Sequence, residues 1–251
     1  MDTYNRPIKL LAAIAVFAFV ALIAQIAQSA DLAQMQKQMF GVTAQLNDNC
    51  SATLIYSDRD KTSGEVTTIL LTAKHCAESK GDVWADIPVY QNNRVVKKER
   101  FIAKVKGTFY KDDLGLIELK DKQTYFATVA KLAPEKPVLM MGEDVWTVGY
   151  PLGLALTVTN GLFGSYETSD YPSDGTEYYR ATPSIAPGNS GGSLYRLSAS
   201  GNFEMIGVTS AMARGYPFIG LYVPSDRIHE YLKVAVPGLY PKPEVKAAAV
   251  K

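Results

Sequence analysis

An all-β fold with one barrel in each half of the chain is what the sequence predicts. Three observations carry that reading. Short runs rich in Val, Ile, Thr and aromatic residues recur at near-regular spacing after Asp31. Clusters such as Asn47-Asp48-Asn49 and Thr62-Ser63-Gly64 fill the gaps between them. The stretch Ala133-Pro134-Glu135-Lys136-Pro137 then divides the series into two sets of similar size.

Taken in order, the first set comprises Val42 to Leu46, Cys50 to Tyr56, Val66 to Thr72, Val83 to Tyr90, Arg100 to Lys106 and Leu114 to Leu119. The second comprises Asp144 to Gly149, Leu156 to Thr159, Gly161 to Tyr166, Glu177 to Ala181, Gly192 to Leu197, Met205 to Ser210 and Ile219 to Val223. One helix closes the chain, because Pro224-Ser225 opens a segment with Ile228, Tyr231 and Leu232 on one face and Pro237-Gly238 ends it. This gives a leader over 1–30, a first barrel over 31–130, a linker over 131–143, a second barrel with its helix over 144–240, and a tail over 241–251.

The leader differs from everything after it. Arg6 and Lys9 precede an apolar run of 15 residues, Leu10 to Ala24, which fits a secretory signal and falls short of the ~20 residues a helix needs to span a bilayer. The approximate small-x-small sites around Ala27 to Ala30 leave an uncleaved anchor through residues 8–26 as the alternative. Export to the periplasm or medium is therefore expected, with membrane contact only if the segment stays uncleaved. An exported chain can keep a disulfide, and Cys50 and Cys76 flank a candidate strand pair. Two reduced core cysteines are the alternative.

Composition excludes other classes. With 26 Lys+Arg against 25 Asp+Glu, the net charge of +1 provides no basic field for a nucleic-acid partner. With 2 Cys and 2 His, the spacing offers no closed zinc site, so neither metal nor other cofactor is expected.

The chemistry concentrates in Pro187-Gly188-Asn189-Ser190-Gly191-Gly192. A serine flanked by glycines sits where backbone can turn sharply and present its hydroxyl, so Ser190 is the candidate nucleophile. The N–H groups of Gly188 and Ser190 can converge as an oxyanion hole. A Gly-rich hairpin turn is the bland alternative. For a base there are His75, at the end of an apolar strand, and His229, whose neighbours Arg227 and Glu230 suggest a solvated position. His75 is preferred. The acid to orient it comes from Asp112-Asp113-Leu114-Gly115, directly before another apolar strand, with Asp113 favoured and Asp112 expected to tolerate change.

Cys50-Ser51-Ala52, Leu71-Thr72-Ala73-Lys74-His75-Cys76, Asp113-Leu114-Gly115-Leu116 and Gly188-Asn189-Ser190-Gly191-Gly192 together resemble the trypsin/chymotrypsin superfamily of serine proteases. Val148-Gly149-Tyr150-Pro151-Leu152-Gly153 and Thr157-Val158-Thr159-Asn160-Gly161 resemble its bacterial HtrA/Deg branch. The resemblance runs from about Val42 to Leu232. It implies two perpendicular six-stranded antiparallel barrels with His75, Asp113 and Ser190 in the cleft between them, a Cys50–Cys76 disulfide, and protein or peptide substrates. It also implies a primary specificity pocket with Ser184 at its base and Ser210, Met212 and Gly220 as walls. No acid stands at that base, so a small or medium apolar residue before the scissile bond is expected.

Two departures bear on mechanism. Asn189 replaces the Asp that pairs with a freed N-terminal amine in trypsin-like zymogens, so activation by an inserted N-terminus is not expected. Only Pro241 to Lys251 follow the final helix region, too few for the PDZ domain that most HtrA proteins append. Against the endopeptidase stands one reading from another class, a protease-like fold kept as a binding or scaffolding module.

Overall fold

The structure, a computed structural model, describes residues 32–78, 82–91, 94–168, 176–213 and 216–238. The apolar leader and the tail lie outside the described residues. Among the described residues twelve strands form two closed six-stranded antiparallel barrels. The first contains β1 (Thr43–Leu46), β2 (Cys50–Arg59), β3 (Val66–Thr72), β4 (Val83–Gln91), β5 (Arg94–Thr108) and β6 (Gly115–Leu119). The second contains β7 (Asp144–Gly149), β8 (Thr157–Thr168), β9 (Glu177–Ala181), β10 (Ser193–Leu197), β11 (Phe203–Ala213) and β12 (Tyr216–Pro224).

Each barrel closes because its first strand is paired on both sides. β1 joins β2 through Leu46↔Cys50 and joins β4 through Gln45↔Asp86. β7 joins β8 through Val148↔Val158 and joins β10 through Ser193↔Val148. Closure removes the unpaired edges that an open sheet would expose. The interiors are filled by side chains from one face of each sheet, with Leu46, Leu54, Leu70 and Ile117 in the first barrel and Val145, Leu194, Ile206 and Tyr222 in the second, each at most 1% exposed.

Four helical elements complete the fold among the described residues, one of them the single 3₁₀ turn Pro151–Gly153 before β8. Met39 of the π-helical turn Gln36–Phe40 is fully buried. Helix α1 (Lys74–Ala77) is a single turn after β3, and α2 (Ser225–Ala235) follows β12 with Ile228, Tyr231 and Leu232 buried.

The sequence reading needs three corrections here. Leu156–Thr159 and Gly161–Tyr166 are not separate strands but parts of one strand, β8, so the second set holds six strands rather than seven. Gly161 does not break it, since a Cβ there would lie 2.5 Å from the Pro183 nitrogen and glycine is what lets the neighbouring segment approach. His75 sits in α1 and not at the end of the strand. His229, expected in solvent, is only 7% exposed and its Nε2 lies 2.7 Å from the Ala133 carbonyl. Its Nε2–H donates to that carbonyl and so ties the linker to α2, and burial lowers its pKa.

Candidate active site

Strand β3 ends at Thr72, and α1 then turns His75 into the cleft, where its side chain is 48% exposed. Across from it, Asp113 lies two residues before β6, next to the fully buried Leu114. The Asp113 carboxylate accepts at 2.9 Å from the His75 ring Nδ1 and at 3.0 Å from the His75 backbone N–H. Nδ1–H donation to Asp113 leaves Nε2 with its lone pair, the tautomer a general base requires.

The two groups tune each other. The hydrogen bond to Asp113 raises the His75 pKa above its ordinary value, against the opposing pull of burial. Burial pushes Asp113 upward, but hydrogen bonds from His75 and Ser210 outweigh it and hold the carboxyl below its usual range. Asp113 is therefore ionised wherever His75 titrates.

Ser210 was read from the sequence as a pocket wall. Its hydroxyl donates to Asp113 Oδ2 at 2.7 Å, so the second barrel supplies a partner to an acid of the first. A serine in β11 carries no sequence signal of that contact. A cavity of about 370 Å³ opens beside the pair, lined among others by Lys74, Tyr110, Tyr178 and Ser210.

The turn bearing Ser190 is fixed by its carbonyls. Pro187 O accepts from Leu152 N–H at 2.6 Å, Gly188 O from Ser51 Oγ at 2.8 Å, Asn189 O from Gly192 N–H at 2.8 Å, and Ser190 O from Ser51 N–H at 2.8 Å. In a planar trans peptide the C=O and the following N–H point in opposite directions. Anchoring Pro187 O and Asn189 O therefore turns the N–H groups of Gly188 and Ser190 the other way. Among the described residues neither N–H has an acceptor. Gly188 takes φ +99°, a conformation closed to most side chains. Asn189 is 4% exposed and its Oδ1 has no partner among the described residues. A neutral amide tolerates that position far better than a carboxylate, which would need a counter-charge.

Ser51 is the residue the sequence reading passed over as a site residue. Fully buried in β2, it holds Ser190 O and Gly188 O and accepts from Tyr150 N–H at 2.9 Å, so one residue of the first barrel grips the Ser190 turn of the second. Its position next to Cys50 was the available clue.

Cys50 and Cys76 form a disulfide, with Cα atoms 6.1 Å apart. Cys76 Sγ lies 3.6 Å from the Ser190 carbonyl oxygen, which brings α1 and the Ser190 turn side by side. The sulfurs and a ring nitrogen of His75 lie within 4.8 Å of one another, a spacing the sequence reading did not foresee. Both sulfurs are spent in the disulfide, so this cluster is not a metal site in the oxidised protein. Among the described residues no hydrogen bond joins Ser190 Oγ to His75.

Of the residues expected to line a specificity pocket, Met212 lies in β11, Gly220 in β12 and Ser184 in the segment after β9. Met212 faces Gly220 across β11 and β12, and Ser184 O accepts from Thr159 Oγ1 at 2.8 Å. No hydrogen bond among the described residues joins Ser184 to either.

The N-terminal end of the described chain docks elsewhere. Gln38 donates to Asn202 Oδ1 at 3.0 Å and accepts from Phe203 N–H at 2.8 Å, which ties it to the turn between β10 and β11. Among the described residues no helix is long and apolar enough to cross a membrane.

Known proteins resemble this chain in sequence and fold. A family model described as Trypsin matches residues 34–232. The periplasmic serine endoprotease DegP of Salmonella typhimurium is 31% identical over 159 residues, covering 60% of this chain and 32% of that protein. DegP of Escherichia coli K12 is 30% identical over 158 residues, 59% of this chain and 32% of its own length. The chain thus spans about a third of the length of these relatives. Among solved structures, the HtrA-type protease AlgW, as a serine-to-alanine variant with a tripeptide, superposes with a TM-score of 0.63 at 20% identity over 83% of this chain and 64% of that one. An inactive form of Rv3671c from M. tuberculosis H37Rv gives a TM-score of 0.58 at 16% identity over 79% and 88%.

Proposed function

The chain belongs to the trypsin family, and on that premise we propose that it is a serine endopeptidase acting through Ser190, His75 and Asp113. Ser190 Oγ attacks the scissile carbonyl while its proton passes to His75 Nε2. Asp113 holds the ring and balances the imidazolium charge, with Ser210 keeping the carboxylate in place. The oxyanion is received by the N–H groups of Gly188 and Ser190. His75 then gives its proton to the leaving amine, and water repeats the sequence in reverse to release the acyl group.

One observation carries the reading: the N–H groups of Gly188 and Ser190, with no acceptor among the described residues, are turned to one side of the Ser190 loop by the anchored carbonyls of Pro187 and Asn189. Backbone donors fixed this way cost no reorganisation when charge develops, and they have no evident use in a merely structural turn. A small or medium apolar residue before the scissile bond fits Ser184, Met212 and Gly220, which include no acid. Kinship to periplasmic DegP proteins supports export.

Peptide-library cleavage by the mature chain tests activity and pocket together. Cleavage after small apolar residues is the expected result. Cleavage after Lys or Arg would overturn the pocket assignment, and intact peptides with no fluorophosphonate labelling would favour a binding module.

A further inference from the structure

We infer that Arg227 is a positioning residue for Asp113, acting across the barrel interface through Asp112; this rests on the triad reading above. Asp112 looked dispensable in the sequence, yet its side chain is 1% exposed. Arg227, on the first turn of α2, reaches Asp112 Oδ2 with Nε at 3.0 Å and Nη2 at 3.0 Å. Asp112 Oδ1 is buried with no partner among the described residues. The carboxylate thus leans on one guanidinium from the other barrel.

That guanidinium is itself braced. Arg227 Nη1 donates to Glu230 Oε2 at 2.8 Å, and Glu230 also pairs with Lys111. The network ties residues 111 and 112 to α2 immediately before Asp113. Asp113 needs that placement, because its oxygens must meet the His75 ring, the His75 N–H and Ser210 together. One rigid peptide plane separates the clasp from the acid, so a shift at Asp112 is passed to Asp113.

The two partners are unequal, and the inequality makes the inference testable. Arg227 is 27% exposed and keeps Glu230 if Asp112 is neutralised. The Asp112 carboxylate has no other partner among the described residues if Arg227 is lost, and a stranded buried carboxylate must take up a proton or swing out to water. Burial already raises the Asp112 pKa, with Arg227 opposing it. Loss of Arg227 should therefore disturb the site more than loss of the charge on Asp112.

His75 reports the disturbance directly. The charged and titratable groups that share its cavity are Lys74, Glu78, Tyr110, Lys111, Asp112, Asp113 and Tyr178, and the Asp113 hydrogen bond contributes most to its raised pKa. The sequence has 2 histidines, so NMR titration of the ring protons separates His75 from the buried His229. The experiment compares the full chain with Arg227→Gln, Asp112→Asn and the double variant, following the His75 titration, kcat, KM and thermal unfolding. Arg227→Gln should move the His75 midpoint down toward its ordinary value of about 6.5 and lower kcat on the order of 10²-fold, with KM less affected. Asp112→Asn should change both less. The double variant, with no stranded charge, should recover to the level of Asp112→Asn.

An unchanged His75 midpoint in Arg227→Gln would overturn the inference, even if stability fell. So would a double variant no better than Arg227→Gln. Because the titration needs no turnover, it judges Arg227 independently of the endopeptidase reading, which instead fails if the unmodified chain neither cleaves peptides nor takes a fluorophosphonate.

Discussion

The hydroxyl of Ser51 donates to the Gly188 carbonyl at 2.8 Å, joining β2 of one barrel to the Ser190 turn of the other. The same residue's N–H holds Ser190 O, so both carbonyls flanking Asn189 are tied to Ser51. Ser51→Ala keeps the N–H bond and removes the hydroxyl bond, leaving Gly188 O and Tyr150 N–H buried without it. We expect kcat to fall by roughly 10² with KM little changed, as for loss of an oxyanion-hole donor, and stability to fall by about 1–3 kcal/mol. Steady-state kinetics with thermal unfolding checks this; an unchanged kcat would show that the turn holds itself.

Asp113→Asn should lower kcat by roughly 10⁴, because the amide favours the wrong His75 tautomer. The pH profile of the unmodified enzyme follows from the same pair. His75 must be unprotonated to accept the Ser190 proton, and its raised pKa places the midpoint of the rising limb of kcat/KM above about 6.5. Asp113 stays ionised throughout because its pKa is lowered. Folding is linked with opposite signs. The His75 contribution is full below its unfolded pKa and lost as pH rises through the folded value, whereas the Asp113 contribution is lost as pH falls through its own lowered value. A kcat/KM midpoint below 6 would contradict the assigned pair.

Activity should not depend on a defined N-terminus. Chains begun at Asp31, begun at Met35, or carrying a short blocked tag should titrate with similar fractions of active sites, since Leu152 and Ser51 hold the turn and Gln38 ties the early chain to Phe203. Asn189→Asp should destabilise, because a carboxylate at a position 4% exposed would lack a cation. Activity confined to one N-terminal cleavage product would return the protein to an inserted-amine mechanism.

Replacing Cys50 and Cys76 by Ala opens a loop with a sequence separation of 26. The expected loss is about 3 kcal/mol by the loop-entropy relation, together with weaker placement of α1. Denaturant unfolding would measure it, and a loss under about 1 kcal/mol would mean that barrel closure alone fixes α1.

The strands were legible because their runs are rich in Val, Ile, Thr and aromatic residues and the breaks between them are spelled out; β3, β7 and β9 have the bounds that the sequence predicts. The start of β5 at Arg94 was not, since Arg94, Lys97 and Lys98 are polar and their strand character comes from pairing with β4. His75, Asp113 and Ser190 stood out through local context: a glycine-flanked serine, a histidine beside cysteine, an acid before an apolar strand. Ser51, Ser210 and Arg227 did not. Their roles exist only after two closed barrels bring β2 to the Ser190 turn, β11 to Asp113 and α2 to Asp112. His229 misled for the same reason, as its charged neighbours Arg227 and Glu230 are held by Asp112 and Lys111 while the ring turns inward.

The central claim is that Ser190 is the nucleophile, and fluorophosphonate labelling of the intact chain with peptide mapping tests it most directly. A single adduct should form on Ser190, and Ser190→Ala should take none and lose on the order of 10⁶-fold in kcat while keeping its fold. An adduct on another residue, or more than a few per cent of activity left in Ser190→Ala, would contradict the account.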